Sequence, residues 1–255
     1  MMQLQRKKLQ KDSKTLKTAD NIDIAMNHYK TDCDSVVVVC HGWFMTKDSR
    51  AFSCLSEELA QYFDVISFDF RGHGKSSGCY TFSAKEENDL AVVIDYAKKC
   101  GYKNIHLLGF SMGGAQVLNF AAKNPVTSVV AVSPPSDFKK IENHVWKPEA
   151  WIPTLFKKFE PKRWCTVRPG SLFHKKTAPV DVVKNISCPT LFILGEKDPI
   201  VYPWHTRVLY EKAVCPKMLK IFQQGKHAED LYLEDRENFL EICVDWIKES
   251  QNDYR

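Results

Sequence analysis

A serine between glycines is the segment of this sequence best suited to chemistry. Residues 105–122 read IHLLGFSMGGAQVLNFAA: a short aliphatic run, the serine, then a helix-forming run. A serine on a tight strand-to-helix turn has a strained backbone and needs small neighbours, which Gly109 and Gly113 supply. A helix that begins at Met112 brings free backbone N–H groups to the same point, where they would stabilise an oxyanion. The segment therefore predicts Ser111 as a nucleophile.

The elements that must position this serine alternate along most of the chain. Short β-branched or aromatic runs are separated by longer amphipathic runs, which predicts crossover connections and a mostly parallel sheet with helices on both faces. Two of the runs are nearly all apolar, as expected for strands buried on both faces. The predicted strands are 22–29, 36–40, 65–70, 105–110, 128–132, 190–194 and 218–222, and the predicted helices are 52–62, 85–99, 112–123, 204–213 and 235–249.

A segment between two core strands, from residue 133 to about residue 187, breaks this alternation. It holds seven of the 12 prolines and three of the six tryptophans, Trp146, Trp151 and Trp164. It is too long for a simple connection, so it predicts an inserted subdomain at 134–185, with 1–133 and 186–255 as the core. Because ligands bind beyond the carboxyl ends of parallel strands, we expect the insert to form a lid whose tryptophans contact substrate. The alternative is that its aromatic residues form its own small core.

Composition narrows the class of protein. The 255 residues are 44% hydrophobic and 26% charged, the balance of a soluble globular protein. No apolar run approaches the ~20 residues of a membrane span. No apolar stretch follows the basic first residues, so no secretory signal is expected. Nine cysteines, an odd number without a C-x-x-C pair, argue against a disulfide framework or a zinc ribbon. We expect a cytoplasmic protein.

Positive charge is concentrated in two segments. Residues 1–18 hold six basic residues and one acidic residue, and residues 134–185 hold eleven and five, within a net charge of +5. They are either solvated lysine-rich surfaces or, in the second segment, an entrance that attracts anionic substrates. No nucleic-acid-binding motif accompanies them, so no nucleic-acid partner is expected. The oligomeric state stays open, a homodimer included.

Three motifs together resemble the α/β-hydrolases of the serine esterase and lipase type. They are the GFSMGG turn, HGWF at residues 41–44, and DFRGHGKS at residues 69–76, which resembles the family's D-x-R-G-H-G-x-S loop. The similarity extends from about residue 22 to residue 247. It implies the α/β-hydrolase fold without cofactor or metal, and an oxyanion hole made by the backbone N–H groups of Trp43 and Met112. It gives the 69–76 loop an architectural role.

The resemblance also implies a base and an acid that follow the nucleophile in the order Ser, Asp or Glu, His. His227 lies in the loop QGKHAE after the strand 218–222, where the family has its base. Asp198 lies in LGEKDPIV after the preceding strand, similar to the family's G-x-x-D-x-x-V turn. The stretch between the two residues leaves room for one helix and one strand. Asp137, which follows the strand before the insert, is the alternative acid.

The predicted activity is hydrolysis of carboxylic esters of small to medium acyl or aryl groups through an acyl-enzyme. A serine nucleophile argues against the dehalogenases and epoxide hydrolases of this fold, which use a carboxylate. The chain has no G-x-x-x-x-G-K-[S/T] loop to support nucleotide hydrolysis. It is similar in size to small carboxylesterases, cinnamoyl and feruloyl esterases and monoacylglycerol lipases. Thioesterase and lysophospholipase activities remain alternatives. So does a degenerate ligand-binding hydrolase, although such proteins usually lose one of the three residues kept here.

Overall fold

A mostly parallel sheet of eight strands forms the centre of the molecule. The computed structural model describes residues 9–141, 166–171 and 176–252. Within them the strand order is β1-β2-β4-β3-β5-β6-β7-β8. β2 pairs antiparallel with both β1 and β4, and all other neighbouring strands are parallel. The predicted α/β class is confirmed.

The elements have the following bounds. The strands are β1 (Gln10–Lys17), β2 (Asp23–Lys30), β3 (Ser35–Cys40), β4 (Asp64–Phe68), β5 (Asn104–Phe110), β6 (Ser128–Val132), β7 (Thr190–Gly195) and β8 (Lys217–Phe222). The helices are α1 (Arg50–Leu59), α2 (Glu86–Lys99), α3 (Met112–Ala121), α4 (Pro179–Val182), α5 (Pro203–Lys212), α6 (Glu229–Glu234) and α7 (Arg236–Asn252), with a 3₁₀ turn at Val183–Asn185.

Helices cover both faces of the sheet. On one face α2, α3 and α5 contribute Leu90, Val117 and Leu209 to a buried apolar cluster. On the other face α1 and α7 contribute Phe52 and Phe239 to a second cluster. Because both faces are covered, every residue of β3 and β6 is buried, as their apolar runs predicted.

All seven predicted strands and all five predicted helices are present, with bounds shifted by at most three residues. β1 was not predicted. All of its side chains are exposed or half-buried, so its sequence QKDSKTLK lacks a buried apolar face. β1 forms one edge of the sheet and carries three of the basic residues of the N-terminal segment 1–18. Charged side chains on an edge strand discourage pairing with other chains.

The loops with predicted site residues lie at one edge of the sheet. β3, β5, β7 and β8 run parallel, so their carboxyl ends point the same way. One described part of the insert, residues 166–171, contacts this region, because Arg168 N–H donates to Gly72 O at 2.8 Å and Tyr80 N–H donates to Arg168 O at 2.8 Å. The predicted lid residues Trp146, Trp151 and Trp164 lie outside the described residues. Among the described helices, none is long and apolar enough to cross a membrane.

Candidate active site

Ser111 occupies a strained turn between β5 and α3. Its backbone angles, φ 51° and ψ −113°, lie in a region that residues other than glycine rarely adopt. Its N–H donates to Val132 O on the neighbouring strand at 2.8 Å, which holds the turn against β6. The side chain is half-buried. The turn therefore presents the Ser111 hydroxyl at the carboxyl edge of the sheet.

Two glycines allow this turn to pack closely, as the sequence predicted. A Cβ on Gly109 would lie 2.3 Å from Gly113 O, and a Cβ on Gly113 would lie 2.3 Å from Cys40 O. Real Cβ atoms essentially never approach backbone so closely. The start of α3 is thereby packed against the end of β3, next to the loop that follows it.

His227 and Asp198 are in contact with Ser111 and with each other. His227 Nε2 lies 2.8 Å from Ser111 Oγ, and His227 Nδ1 lies 2.7 Å from Asp198 Oδ2. Asp198 is buried, and its Oδ1 accepts the N–H groups of Ile200 and Val201, both at 2.9 Å. These two bonds within the turn fix the carboxylate, so its other oxygen faces the imidazole.

This arrangement sets the direction of proton transfer. A carboxylate accepts hydrogen bonds, so Nδ1 of His227 carries the proton that Asp198 binds. In the neutral imidazole Nε2 is then the acceptor, and it faces the Ser111 hydroxyl. The three side chains can therefore pass the Ser111 proton to Nε2 while the carboxylate stabilises the resulting imidazolium.

The two predicted oxyanion donors flank the serine turn. Met112 is the first residue of α3, where backbone N–H groups have no partner within the helix. Trp43 lies in a turn closed by a bond from Met45 N–H to Gly42 O at 3.2 Å. A Cβ on Gly42 would lie 3.5 Å from Ser111 Cβ, so this turn borders the serine.

His41 holds the start of the Trp43 turn in place. Its Nε2 accepts the N–H of Phe70 at 3.1 Å, so its Nδ1 is the donor, and this bonds Gly42 O at 2.7 Å. Burial lowers the pKa of His41 to about 4, and the ring stays neutral. His41 therefore ties the loop after β3 to the loop after β4.

The alternative acid does not contact the base. The Asp137 carboxylate accepts the N–H of Lys139 at 2.9 Å within its own turn, while Asp198 holds His227. Glu196, another carboxylate of the Asp198 loop, forms an ion pair with Arg207 at 2.5 Å. The geometry thus favours the predicted acid over its alternatives.

Two further described histidines, His28 and His106, are packed in the core. His28 contacts the hydroxyls of Tyr96 and Tyr102, and His106 contacts Ser128 Oγ at 2.8 Å. Burial lowers the pKa of His28 to about 4 and that of His106 to about 3. Both rings lie on strands of the core rather than in the loops at the carboxyl edge.

An aromatic surface beside the site was not predicted from the sequence. Trp43 and Phe44 are 43% and 38% exposed, and their ring centroids are 4.3 Å apart. The Trp43 ring also lies about 6 Å from the rings of Tyr80 and Phe82. The aromatic pair in HGWF was a signal for this surface, but its partners come from a separate loop, between β4 and α2. Such a surface can contact an apolar or aromatic group next to Ser111.

The 69–76 loop is held by buried ion pairs, in line with its predicted architectural role. Arg71 binds Asp89 at 2.7 Å and Asp20 at 2.7 Å, and both Arg71 and Asp89 are buried. Asp69 lies 3.3 Å from the buried ammonium of Lys47. Lys47 was not predicted from the sequence, because its partner lies beyond the next helix and strand of the chain. Among the described residues, no group of three or more His, Cys, Asp or Glu side chains could hold a metal ion.

Comparison with known proteins agrees with the fold. Residues 35–166, just over half of the chain, match the family model described as alpha/beta hydrolase fold. The chain therefore belongs to the α/β-hydrolase family, as the three motifs predicted.

Related proteins extend this likeness over almost the whole chain. A Bacillus subtilis relative, the uncharacterized protein YqkD, is 26% identical over 96% of this chain and 81% of its own length. The human serine hydrolase BPHL is 27% identical over 87% of this chain and 82% of its own length. The structure of the Pyrococcus furiosus esterase Pf2001 matches with a TM-score of 0.77 at 23% identity, covering 94% of this chain and 93% of that one. At that identity the structural match shows the fold alone.

Proposed function

We propose that this α/β-hydrolase is a serine hydrolase that cleaves carboxylic esters through Ser111, His227 and Asp198. The observation that carries the proposal is the continuous chain of contacts from the Ser111 hydroxyl through the imidazole to the carboxylate, at 2.8 and 2.7 Å. A serine on a strained turn before a helix presents its hydroxyl to the substrate, as a nucleophile must. The name of the human relative, a serine hydrolase, and that of the Pyrococcus structure, an esterase, support the same class.

The proposed reaction proceeds through an acyl-enzyme. Ser111 Oγ attacks the acyl carbonyl carbon while His227 Nε2 accepts the hydroxyl proton. The N–H groups of Trp43 and Met112 stabilise the negative charge on the carbonyl oxygen. The tetrahedral intermediate collapses, and His227 returns the proton to the leaving alcohol. Water, deprotonated by the same imidazole, then releases the acid and restores Ser111.

We propose substrates with small to medium acyl or aryl groups. The exposed rings of Trp43 and Phe44 offer apolar contact next to the nucleophile. The insert at 134–185 stays a predicted lid, with its three tryptophans as predicted substrate contacts. We also propose the cytoplasmic location that the cysteine pattern predicted, since the eight cysteines of the described part are free thiols.

Turnover of an ester panel tests this proposal. The panel comprises p-nitrophenyl esters of increasing chain length, methyl hydroxycinnamates, a monoacylglycerol and an acyl-CoA, so that it ranks esters against the thioester and lipase alternatives. Ser111→Ala should lower kcat by several orders of magnitude, as loss of the nucleophile costs ~10⁶ in a serine protease. Ser53→Ala, on helix α1, is the control and should retain wild-type turnover. Turnover that persists in Ser111→Ala would refute the assignment.

A further inference from the structure

A buried lysine joins the loop that carries Trp43 to the loop after β4. The Lys47 side chain is 2% exposed, and the side chain of its partner Asp69 is 1% exposed. The ammonium lies 3.3 Å from Asp69 Oδ2 and 2.6 Å from Asp48 Oδ2. Lysine is rarely buried in proteins unless it is paired. The pairing therefore explains why the charge of Lys47 is tolerated in the interior, but not what that charge contributes to the protein.

Lys47 holds Asp69 by backbone as well as by side chain. The Lys47 N–H donates to Asp69 Oδ1 at 2.7 Å, and the Lys75 N–H donates to Asp69 Oδ2 at 2.9 Å. Asp48 is fixed in turn, because its Oδ1 accepts the Asn27 amide of β2 at 2.9 Å. The ammonium thus bridges one carboxylate of the loop after β4 and another that is anchored to the sheet.

These contacts fix the far end of the Trp43 turn. At the near end, His41 Nε2 accepts the Phe70 N–H at 3.1 Å. At the far end, Lys47 binds Asp69, which directly precedes Phe70. The turn from Gly42 to Met45 is therefore suspended between two attachments to the same neighbouring loop.

Such attachment matters for a donor that acts in the transition state. The value of an oxyanion donor depends on its placement to within tenths of an ångström, and a misplacement of 1 Å far from the chemistry can cost ~10²-fold. Buried ion pairs are weak contributors to stability compared with apolar residues of similar volume. A buried ammonium at this position is therefore better explained by the geometry that it imposes than by stability.

We propose that Lys47 is a positioning residue that holds the Trp43 N–H in its oxyanion-binding geometry by bridging Asp69 and Asp48. The inference rests on the proposed function, since it assigns Trp43 N–H a role in ester hydrolysis. Lys47 acts through the loop and does not touch the substrate. Its contribution should appear in the transition state and not in substrate binding.

The test compares Lys47→Met with Lys217→Met in the full-length protein. The Lys217 ammonium binds Tyr210 O and Ala213 O near the start of β8, at the opposite end of that strand from the His227 loop. Lys47→Met should lower kcat for p-nitrophenyl butyrate about 10- to 100-fold, less than the ~10²–10³ lost with a whole oxyanion donor. KM should stay within about threefold, and the Ki of a trifluoromethyl ketone should rise by the same factor as kcat falls. Lys217→Met should change none of these constants beyond about twofold.

If Lys47→Met does not fold, a second pair of variants tests the positioning role of Lys47. Lys47→Arg keeps a cation that can bind both carboxylates, whereas Lys47→Gln keeps only a neutral donor. The Arg variant should retain at least about fivefold more kcat than the Gln variant at equal KM. Equal kcat values in the two variants would overturn the inference.

The remaining outcomes are also decisive. A folded Lys47→Met variant whose kcat stays within twofold of wild type overturns the positioning role, and so does a rise in KM without loss of kcat. In either case Ser111-dependent turnover of the wild type leaves the proposed function standing. A wild-type protein without Ser111-dependent ester turnover refutes the proposed function and this inference together.

Discussion

Ser111 has a backbone conformation that costs about 1–3 kcal/mol, and its immediate neighbours account for how the fold retains it. The hydrogen bond to Val132 O and the close approach of Gly113 to Cys40 hold the turn from two sides. A relaxed turn would move the hydroxyl away from His227 Nε2. The residue with the strained backbone is therefore also the one whose hydroxyl lies against the imidazole of His227.

Asp198 should be essential for the tautomer of His227. Asp198→Asn places an amide opposite Nδ1, which favours the wrong tautomer and should lower kcat by roughly 10⁴, as the corresponding change does in a serine protease. Asp137→Asn should keep kcat within a factor of about ten, because Asp137 bonds only within its own turn. Steady-state hydrolysis of p-nitrophenyl butyrate measures both. The reverse ranking would move the acid to the turn after β6.

At the scale of single residues, the sequence predicted side chains that belong to recognisable local turns. Ser111, Asp198 and His227 could each be predicted, because each lies in a characteristic turn that follows a strand. Lys47 could not, because its role depends on Asp69, which is distant along the chain, and nothing local marks a lysine as buried. The aromatic contacts of Trp43 with Tyr80 and Phe82 were missed for the same reason.

The elements that position the site are those with the strongest apolar patterns. β3 and β6 could be predicted because both faces are buried and nearly every residue is apolar. β1 could not, because its pairing with β2 relies on backbone hydrogen bonds and its side chains carry no apolar alternation. The short helix α6 was also missed, since six residues are too few to show helical periodicity.

Helix α3 connects the fold directly to the site. Its first residue carries the Met112 N–H, and Gly113 lets its first turn lie against the end of β3. The two predicted oxyanion donors therefore come from neighbouring parallel strands, β3 and β5. Adjacent strands in a parallel sheet bring such loops together.

Across the whole folded molecule, some buried histidines stay neutral. Burial lowers the pKa of His106 to about 3 and that of His28 to about 4, from an ordinary value near 6.5. At a pH between these lowered values and about 6.5, the unfolded chain therefore binds more protons than the folded chain. Their contribution to stability is complete above about pH 6.5 and is lost as the pH falls towards 4.

His106 provides the test of this acid sensitivity. At pH 5 its protonation in the unfolded state should cost roughly 2 kcal/mol of unfolding free energy relative to pH 7. His106→Gln keeps hydrogen-bonding groups opposite Ser128 but does not titrate. The loss of stability between pH 7 and pH 5, measured by urea denaturation, should therefore be smaller in this variant by that same amount. Parallel pH profiles for the two proteins would show that burial of His106 does not contribute.

Covalent labelling with a fluorophosphonate tests most directly whether Ser111 is an activated nucleophile. The wild-type protein should gain one adduct mass, and digestion followed by mass spectrometry should locate it on the peptide that contains Ser111. His227→Ala should slow labelling strongly because the base is missing, and Ser111→Ala should abolish it. An adduct on a different residue, or labelling that persists in Ser111→Ala, would contradict the account.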